Sequence, residues 1–406
     1  MQHTTGLLPC IVHYIITANK NNVSMKKILL SLTAILSSAV MTAQDVSQFK
    51  QLDDSLFAST PAYQNGNRYQ RDAMLFVDML ADTHPYYIKK ERRDILFARQ
   101  DDLLKACAAC GSDTAFVSLL RNTLGDLRDK HTDIIDMQQL KADRQAAAEK
   151  AEAQADTLSD ALMAYKGDLF HYVIVPEAKV CYLQFNRCMD ARTMRDTSLP
   201  RWDTLLDEMF SKMKNDGITT LVVDAQYNNG GSSSLCDELL VRLRPHAELR
   251  NFSTALRFSR LMAAYNPRIA AAKTAWENQG HIDELYTIPS GKTPPQFVQP
   301  ELFGGKVIFV QGAKTFSSAG MLMTLARDNN IGTIVGATST YTPSHYGEVL
   351  PFRLPNTGVV GSVSCKFFAR PDTAHVDDKT LEPDTTLDLT DKEKAWQAIL
   401  DMIKAD

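Results

Sequence analysis

The sequence predicts an α/β protein with a helical N-terminal region. From about residue 167 onward, short apolar runs alternate with amphipathic segments of helical spacing, which is the pattern of a mainly parallel sheet covered by helices. Between residues 44 and 166 the apolar residues recur at helical spacing instead. We therefore expect a helical domain with a helical bridge over residues 44–166 and a core over residues 167–406.

The start of the chain has the features of an export signal. Lys26 and Lys27 precede a short apolar stretch, and small residues follow up to Ala43, as in a secretory signal peptide. We expect translation to start at Met25 and cleavage to follow Ala39 or Ala43, which gives a periplasmic or extracellular protein. Association with the outer membrane stays open. No later segment reaches about 18 apolar residues, so the mature chain is not expected to span a membrane.

The helical region contains two amphipathic runs and a charged bridge. Residues 69–81 form one run and residues 93–109 the other. The first run ends at His84-Pro85, and we interpret this pair as a helix stop rather than a catalytic element. The bridge, residues 138–166, is rich in Ala, Glu, Asp and Lys and is predicted to be helical nearly to its end.

The core region alternates between strands and helices. Residues 250–300 contain several prolines and no regular pattern, so we interpret them as an irregular lid or specificity loop. The predicted regular elements are strands over residues 172–175, 180–185, 221–224 and 307–310, strands within 346–368, and helices over 202–214, 235–243, 322–327 and 392–404.

A serine pair lies where a predicted strand meets a predicted helix. Ser317 and Ser318 follow the strand over residues 307–310, and the helix starts directly after them. A serine at such a turn is accessible rather than packed in the core, and the helix start offers backbone N–H groups to an anion. A nucleophilic serine needs both features. The alternative is a helix N-cap, a position that serine often occupies.

A second turn lies about ninety residues upstream of the serine pair. The apolar strand ends at Asp224, and Asn228, Gly230 and Gly231 follow before the next predicted helix. Adjacent glycines at a strand end allow positive φ angles, so their N–H groups can point at a ligand oxygen. Taken alone, this pattern is also that of an ordinary strand-to-helix turn.

Together the two turns resemble those of the C-terminal processing, or tail-specific, serine protease family. That family has a strand ending Asp-Leu-Arg-x-Asn-x-Gly-Gly and a Ser-x-x-Glu turn, followed by a strand ending Val-Gly. Here Asp224, Asn228, Gly230 and Gly231 match the first motif, and Ser317 matches the serine of the second. The resemblance implies a crotonase/ClpP-like spiral core of ββα units.

The same resemblance implies roles for individual residues. A Val-Gly pair ends at Gly336, nineteen residues after Ser317, which is the interval that the family uses. Ser317 is therefore the implied nucleophile. The backbone N–H of Ser318 would then bind the oxyanion together with Gly230 or Gly231.

Four positions depart from the family pattern. Ala225 and Gln226 stand where the family has leucine and arginine, and Gly320 stands where it commonly has glutamate. Thr342 occupies the position of the lysine that many members use as the base. Because no lysine occurs between Lys314 and Lys366, a Ser-Lys dyad is not expected.

His131 is the candidate base instead. It lies in residues 129–132, which resemble an Asp-x-His-Thr element found before the core in many relatives. In the tricorn-like branch, which lacks the lysine, the histidine of this element is the general base. Imidazole suits that role because its ordinary pKa is close to neutral. A surface histidine at a helix end is the alternative, and His345 is the second candidate base.

An acidic residue near the C-terminus orients the histidine in the tricorn-like branch. It precedes a Pro-Asp element, which Pro383-Asp384 matches here. Asp377 lies nearest to the expected place, and Asp378 and Glu348 are the competing carboxylates.

Composition and motifs exclude several other classes. A hydrophobic share of 44% and a charged share of 23% are those of a globular protein. With a net charge of −4 and no basic cluster, nucleic-acid binding is not expected. The chain has no phosphate-binding glycine loop and no His-Glu-x-x-His pair, so neither a cofactor nor a metal ion is predicted. Cys107 and Cys110, which have redox-pair spacing, are interpreted as buried structural thiols.

The resemblance covers most of the chain from about residue 72 onward and implies a serine endopeptidase that acts on peptides or proteins. The predicted signal peptide makes it an exported one. Ser317 would attack the scissile carbonyl, His131 would transfer its proton, and Asp377 would orient the histidine. The bridge is too short for the PDZ domain that tail-specific relatives often carry. Two alternatives remain, an inactive relative that binds an apolar ligand or peptide, and a cell-surface interaction protein. The sequence does not indicate an oligomeric state.

Overall fold

The computed structural model describes residues 49–125, 127–137, 142, 161–288 and 299–405. The predicted signal peptide and most of the predicted bridge lie outside the described residues. Residues 161–166, at the predicted end of the bridge helix, form turns, so the helix predicted there is wrong for this part. None of the helices in the described part of the chain is both long and apolar enough to cross a membrane.

The chain forms two compact units, and each draws on three segments of the sequence. Among the described residues, unit 1 comes from those before residue 149, from 254–288 and from 345–368, and unit 2 comes from residues 161–253, 299–344 and 369–405. The boundary predicted after residue 166 stays a prediction.

Short and long strands occur along the whole described chain. In chain order they are β1 (Lys50–Gln51), β2 (Asp133–Ile135), β3 (Phe170–Val175), β4 (Val180–Phe185), β5 (Thr220–Asp224), β6 (Ser253–Leu256), β7 (Tyr286–Ile288), β8 (Lys306–Gln311), β9 (Thr333–Gly336), β10 (His345–Arg353), β11 (Val360–Ala369) and β12 (Thr385–Thr386).

Helices occur in both units. In chain order they are α1 (Pro61–Asn65), α2 (Arg68–Thr83), α3 (Lys90–Ala98), α4 (Gln100–Ala108), α5 (Asp113–Thr123), α6 (Ala191–Met194), α7 (Trp202–Asn215), α8 (Ser233–Leu243), α9 (Arg260–Tyr265), α10 (Arg268–Asn278), α11 (Ser318–Asp328) and α12 (Lys392–Ala405), with short 3₁₀ helices at Pro85–Ile88, Pro176–Ala178 and Thr373–His375.

Unit 1 combines the N-terminal helices with a sheet of order β1-β10-β11-β6-β7. Strands β10 and β11 form an antiparallel hairpin, and β2 also pairs with β11, with Asp133 opposite Ser362. The segment 253–288 contributes β6, β7, α9 and α10, so the prediction of an irregular loop there is wrong. The pairing of β2 holds the residues just before it, including His131, against β11.

Helix α2 provides the core of unit 1. Asn67 caps its first turn through a capping box with Gln70, and Phe76 and Leu80 are fully buried on its inner face. Asp72, on the same helix, accepts hydrogen bonds from the backbone and side chains of Asn356 and Thr357 in the turn between β10 and β11. These bonds fasten the hairpin to the helix.

Unit 2 contains a sheet of order β12-β9-β8-β5-β4-β3, in which all neighbours are parallel except β3 and β4. Strands β4 and β5 are buried along their whole length, as expected when helices cover both faces. Helix α12 packs Ala395 and Ile399 against one face. Trp202 of α7 stacks on Phe185 with 4.3 Å between ring centroids. The predicted α/β class is confirmed.

Candidate active site

The predicted nucleophile lies at the carboxyl end of the unit 2 sheet. Strands β5 and β8 are parallel neighbours, with Asp224 opposite Val310. The turns that follow them, residues 225–231 and 312–317, therefore leave the same edge of the sheet, which is the usual place for a site in parallel α/β proteins.

Hydrogen bonds connect these two turns. The backbone oxygen of Asn228 accepts a bond from the N–H of Phe316 at 3.0 Å, and its side-chain nitrogen donates to the backbone oxygen of Phe185 at 2.9 Å. Its Oδ1 accepts the N–H of Gly230 at 2.8 Å. In addition, Thr315 Oγ1 donates to the backbone of the first turn at 2.8 Å. The position of Ser317 is therefore set by both turns.

Ser317 itself has a strained backbone. Its φ of 52° and ψ of −126° lie in a region that residues with a side chain rarely adopt. Ser317 precedes α11, but its side chain makes no capping hydrogen bond. The alternative interpretation of this serine as a side-chain N-cap is therefore wrong. Strain of this kind costs about 1–3 kcal/mol and typically occurs at functional sites. A serine on a strained strand-to-helix turn has the geometry of a nucleophile elbow.

The neighbouring Ser318 is engaged in a different way. It is the first residue of α11, is buried, and donates a hydrogen bond from Oγ to the backbone oxygen of Gly231 at 2.9 Å. Its hydroxyl therefore holds the glycine turn in place. Its backbone N–H, at the helix start, has no acceptor within the helix.

The paired glycines are required by the backbone. Gly230 and Gly231 have φ angles of +105° and +140°, and a Cβ at Gly230 would lie 2.7 Å from the Cβ of Ser317. The N–H of Gly230 already donates to Asn228, as described above. Among the hydrogen bonds of the described residues, none has the N–H of Gly231 or Ser318 as donor. These two N–H groups are the ones that the turn leaves open for an oxyanion.

Two buried thiols lie beneath the glycine turn. The sulfur atoms of Cys188 and Cys236 are 3.7 Å apart and are not joined in a disulfide. Cys236 donates to the backbone oxygen of Ser318 at 3.3 Å, and Cys188 donates to Oδ1 of Asn228 at 3.5 Å. The contact with Cys188 and the burial of the group raise the pKa of the Cys236 thiol well above its ordinary value. Cys236 is therefore a buried packing group rather than a thiolate.

The predicted base, His131, lies in unit 1 and is buried. Its backbone oxygen accepts a hydrogen bond from Ser362 Oγ at 2.8 Å, and Thr132 Oγ1 accepts one from the N–H of Ser364 at 2.9 Å. Strand β11 thus holds both residues on the segment that leads into β2.

A buried carboxylate accompanies His131. Asp129 Oδ1 accepts the backbone N–H of His131 at 2.9 Å and lies 3.5 Å from its Nδ1. Asp129 Oδ2 accepts from Thr132 Oγ1 at 2.6 Å and lies 3.1 Å from His84 Nε2. Burial alone would raise the pKa of the Asp129 carboxyl, but the hydrogen bonds from His131 and His84 outweigh it and hold that pKa well below its ordinary value. Asp129 is therefore ionised at neutral pH.

The second candidate base lies beside the first. The rings of His345 and His131 are 5.6 Å apart between centroids, and His345 also stacks on Phe368 at 5.3 Å. Glu348, further along β10, lies 3.7 Å from the ammonium group of Lys366. Unit 1 therefore brings together both histidines that the sequence offers as bases.

The other acidic candidates belong to unit 2. Asp377 is exposed on the segment after β11. Asp378 lies 3.2 Å from a guanidinium nitrogen of Arg370 and 3.2 Å from Nδ1 of His375. The choice of Asp377 as the orienting acid stays a prediction. No group of three or more His, Cys, Asp or Glu side chains within the described ranges could hold a metal ion.

Comparison with protein families decides the assignment of the chain. Residues 179–387, about half of the sequence, match peptidase family S41. The chain belongs to peptidase family S41. The predicted kinship with C-terminal processing proteases is confirmed, and the S41 chain is a serine-type peptidase, a hydrolase. The matched residues include Ser317 and both glycines but not His131.

Solved structures show the same fold. A putative peptidase from Parabacteroides merdae has 16% identity and a TM-score of 0.51, over 82% of this chain and 96% of that chain. Mature CPAF has 13% identity and a TM-score of 0.55, over 85% and 97%. Mature CPAF complexed with lactacystin has 14% identity and a TM-score of 0.55, over 85% and 98%. The comparison with curated proteins gives no match.

The departures of this S41 peptidase from the family motif have structural counterparts. A Cβ at Gly320 would lie 2.4 Å from the ring of Tyr341, which is fully buried, so the ring occupies the space that a glutamate would need. At the vacant lysine position, Thr342 donates from Oγ1 to the backbone oxygen of Lys379 at 3.1 Å. Gly320 and Thr342 therefore each have contacts that differ from those expected of the glutamate and the lysine of the family motif.

Gln226, at the position of the S41 arginine, belongs to a buried polar network. Its amide donates to Asp224 Oδ2 at 2.7 Å, and its side-chain oxygen accepts from Lys392 at 2.6 Å. Tyr182 also donates to Asp224, at 2.5 Å. Burial raises the pKa of the Asp224 carboxyl. We therefore interpret Asp224 as a structural residue that holds the end of β5 through these hydrogen bonds, and not as a catalytic residue.

Two residues of the histidine region were missed as functional candidates. His84 was interpreted as a helix stop only, yet its side chain is fully buried against Asp129. Asp129 belongs to the Asp-x-His-Thr element that singled out His131, so its type and spacing were a usable signal. His84 has no such local signal, because its contact spans 45 positions of the sequence.

Proposed function

We propose that this S41 peptidase is an exported serine endopeptidase that cleaves peptide or protein substrates, with Ser317 as nucleophile and His131 as general base. The observation that carries the proposal is the strained turn of Ser317, which keeps its side chain from capping α11. A nucleophile has a reason to be held in that conformation, whereas a capping serine has none.

The steps follow from the residues in each half of the site. Ser317 Oγ attacks the scissile carbonyl while His131 takes its proton, and the imidazolium then returns the proton to the leaving amine. The tetrahedral oxyanion accepts hydrogen bonds from the N–H groups of Gly231 and Ser318. Loss of one such donor typically lowers kcat by about 10²–10³-fold. A water molecule then attacks the acyl group while His131 takes its proton, and the imidazolium returns the proton to Ser317 Oγ as the acyl group is released.

The family resemblance assigns the orienting acid to Asp377, with Asp378 and Glu348 as competitors. Asp378 and Glu348 lie close to Arg370 and Lys366 respectively. Export rests on the basic, apolar and small residues that precede residue 44. N-terminal sequencing of the mature protein tests this part, and a terminus directly after Ala39 or Ala43 supports it.

The test of the serine assignment compares two adjacent alanine variants. We expect Ser317→Ala to lower peptide hydrolysis by at least about 10⁴-fold. Ser318→Ala keeps the backbone N–H and loses only the bond to Gly231, so it should retain most of the activity. The melting temperature of each variant controls for folding.

The opposite pattern would make Ser318 the nucleophile. A folded wild-type protein that neither hydrolyses peptides nor reacts with a fluorophosphonate would instead indicate the inactive, ligand-binding relative.

A further inference from the structure

We propose that Asp129 is the carboxylate that orients His131, and that His84 holds Asp129 from its other oxygen. A hydrogen bond joins His84 to Asp129 inside unit 1, and Nδ1 of His131 lies 3.5 Å from the other oxygen of the same carboxylate. The inference rests on the proposed function, in which His131 is the general base. It assigns Asp129 and His84 as positioning residues, in place of the acidic residue that the resemblance places near the C-terminus.

The first argument is the set of donors around Asp129. An ionised carboxylate only accepts hydrogen bonds and has about four lone-pair sites. Oδ1 faces the backbone N–H and Nδ1 of His131, while Oδ2 faces Thr132 Oγ1 and His84 Nε2. Four donors thus meet four sites on a side chain that is only 1% exposed. A carboxylate bound in this way cannot rotate.

The second argument is the tautomer of His84. Its Nδ1 accepts the backbone N–H of Tyr86 at 3.1 Å, so this nitrogen carries no proton. The proton must then be on Nε2, which faces Asp129 at 3.1 Å. The rings of Tyr86, Tyr87 and Tyr346 lie 6.5, 6.1 and 4.6 Å from that of His84 between centroids. They enclose the imidazole, whose exposed fraction is 0%.

The third argument concerns the ring of His131. Because Asp129 can only accept, the Nδ1 that faces it must carry the proton. Nε2 then keeps its lone pair, which is the state that a general base requires. When the ring gains a second proton from serine, the adjacent negative charge of Asp129 stabilises the imidazolium. A fixed carboxylate therefore supplies both the correct tautomer and the compensating charge.

The competing carboxylates are arranged differently. Asp378 lies close to Arg370, and Glu348 lies close to Lys366. Asp377 is exposed, so holding an imidazole in one orientation would require it to lose side-chain freedom. Asp129 is already immobilised next to the histidine that it would serve.

The direct test is the tautomeric state of His84 and His131, measured by ¹⁵N chemical shifts in protein labelled at its histidines. Signals are assigned by their loss in His84→Gln and His131→Gln. In the wild type, at a pH where the rings are neutral, we expect the proton on Nε2 of His84 and on Nδ1 of His131. Either opposite tautomer overturns the inference without any further variant.

The variants sharpen the test. In Asp129→Leu, no acceptor faces Nδ1 of His131, and we expect the ring to change to the Nε2-protonated form. Asp133→Leu is the matched control, because that carboxylate pairs with Arg121 instead, and it should leave the tautomer unchanged. If Asp377→Leu changes the tautomer and Asp129→Leu does not, the resemblance was right and the inference is wrong.

Kinetics supply the second readout. We expect Asp129→Asn to lower kcat by about 10²–10⁴-fold with KM nearly unchanged, because positioning affects the reaction more than substrate binding. His84→Gln keeps an N–H donor and should retain more activity than His84→Phe, which has none. Equal activity of these two variants would remove His84 from the chain.

The tautomers do not depend on turnover, so the two levels of the account can fail separately. If Ser317→Ala remains active, the proposed function is wrong, whatever the tautomers are. If Ser317→Ala is inactive and the tautomer of His131 does not change when Asp129 is substituted, only the present inference is wrong.

Discussion

The proposed catalytic residues fall into two halves, Ser317 in unit 2 and His131 in unit 1, and the surroundings of each are built by different physical means. In unit 2, backbone geometry positions Ser317, through the strained turn before α11 and the close approach of Gly230. In unit 1, buried side chains position His131, through hydrogen bonds that join Asp129 and His84. One half depends on what the backbone can adopt, and the other depends on the pairing of polar groups away from water.

The difference indicates how each half tolerates change. A backbone site fails when a side chain is added, because the turn has no room for it. A buried polar site fails when one partner is removed, since the remaining groups lose their hydrogen bonds in a place that water cannot reach. Substitutions of the two kinds therefore separate the halves experimentally.

The largest effect is expected from the two neighbouring histidines. His131→Ala should lower kcat/KM by at least about 10⁴-fold, because the serine loses its base. His345→Ala should lower it by less than about tenfold, since that ring contributes packing rather than proton transfer. Peptide hydrolysis by both variants, at matched thermal stability, measures the difference. A greater loss of kcat/KM in His345→Ala than in His131→Ala would indicate that His345 is the base.

Adding a methyl group to the backbone half should give the next largest effect. In Gly230→Ala, the new Cβ would lie 2.7 Å from that of Ser317, at a φ of +105°. We expect kcat to fall by about 10²–10³-fold, as when an oxyanion donor is displaced. Gly304→Ala, which meets no atom within 4 Å, is the control. Wild-type kcat in Gly230→Ala would contradict the close approach of the two turns.

Lowering the pH should reduce the free energy of unfolding through the protonation of Asp129. Because the pKa of Asp129 is lowered in the folded protein, its contribution to the free energy of unfolding is present above the ordinary pKa of about 4 and is lost as the pH falls. At neutral pH, Asp129→Asn should be less stable by about 1.5–3 kcal/mol, the value of a hydrogen bond to a charged group.

The difference between the two proteins should then shrink as the pH drops below about 4. Denaturant unfolding at several pH values measures it. A difference that is constant from neutral pH downward would mean that Asp129 is not held ionised.

The smallest effect concerns the departure from the family motif at Gly320. In Gly320→Ala, the added Cβ would lie 2.4 Å from the buried ring of Tyr341. We expect a loss of about 1–3 kcal/mol in the free energy of unfolding, which is typical of overpacking. Gly304→Ala is again the control. Stability equal to that of the wild type would show that the ring can move aside.

The sequence was informative where the determinants are local. The glycine pair and the serine turn each lie within a few residues, so their spacing indicated both the strand ends and the site. The S41 match includes this half of the site but not His131. His84 was not predictable, because its partner Asp129 is 45 positions away and nothing near His84 indicates a carboxylate.

The segment 253–288 shows a second limit. The prolines around it suggested an irregular loop, but α10 forms over an alanine-rich stretch, and Ser259 caps α9 by accepting the N–H of Met262 at 3.1 Å. Alanine has the strongest intrinsic helix propensity, and serine is a preferred N-cap. Local propensity was therefore present in the sequence. The pairing of β6 with β7 and their place in the unit 1 sheet depend on contacts distant in sequence, which spacing does not reveal.

The joint action of the two halves is tested most directly by the rate of fluorophosphonate labelling, with the modified residue mapped by mass spectrometry. We predict a single adduct on Ser317, formed at a rate that is at least about 10³-fold lower in His131→Ala. An adduct on another residue, or labelling of Ser317 at an unchanged rate in His131→Ala, would contradict this account.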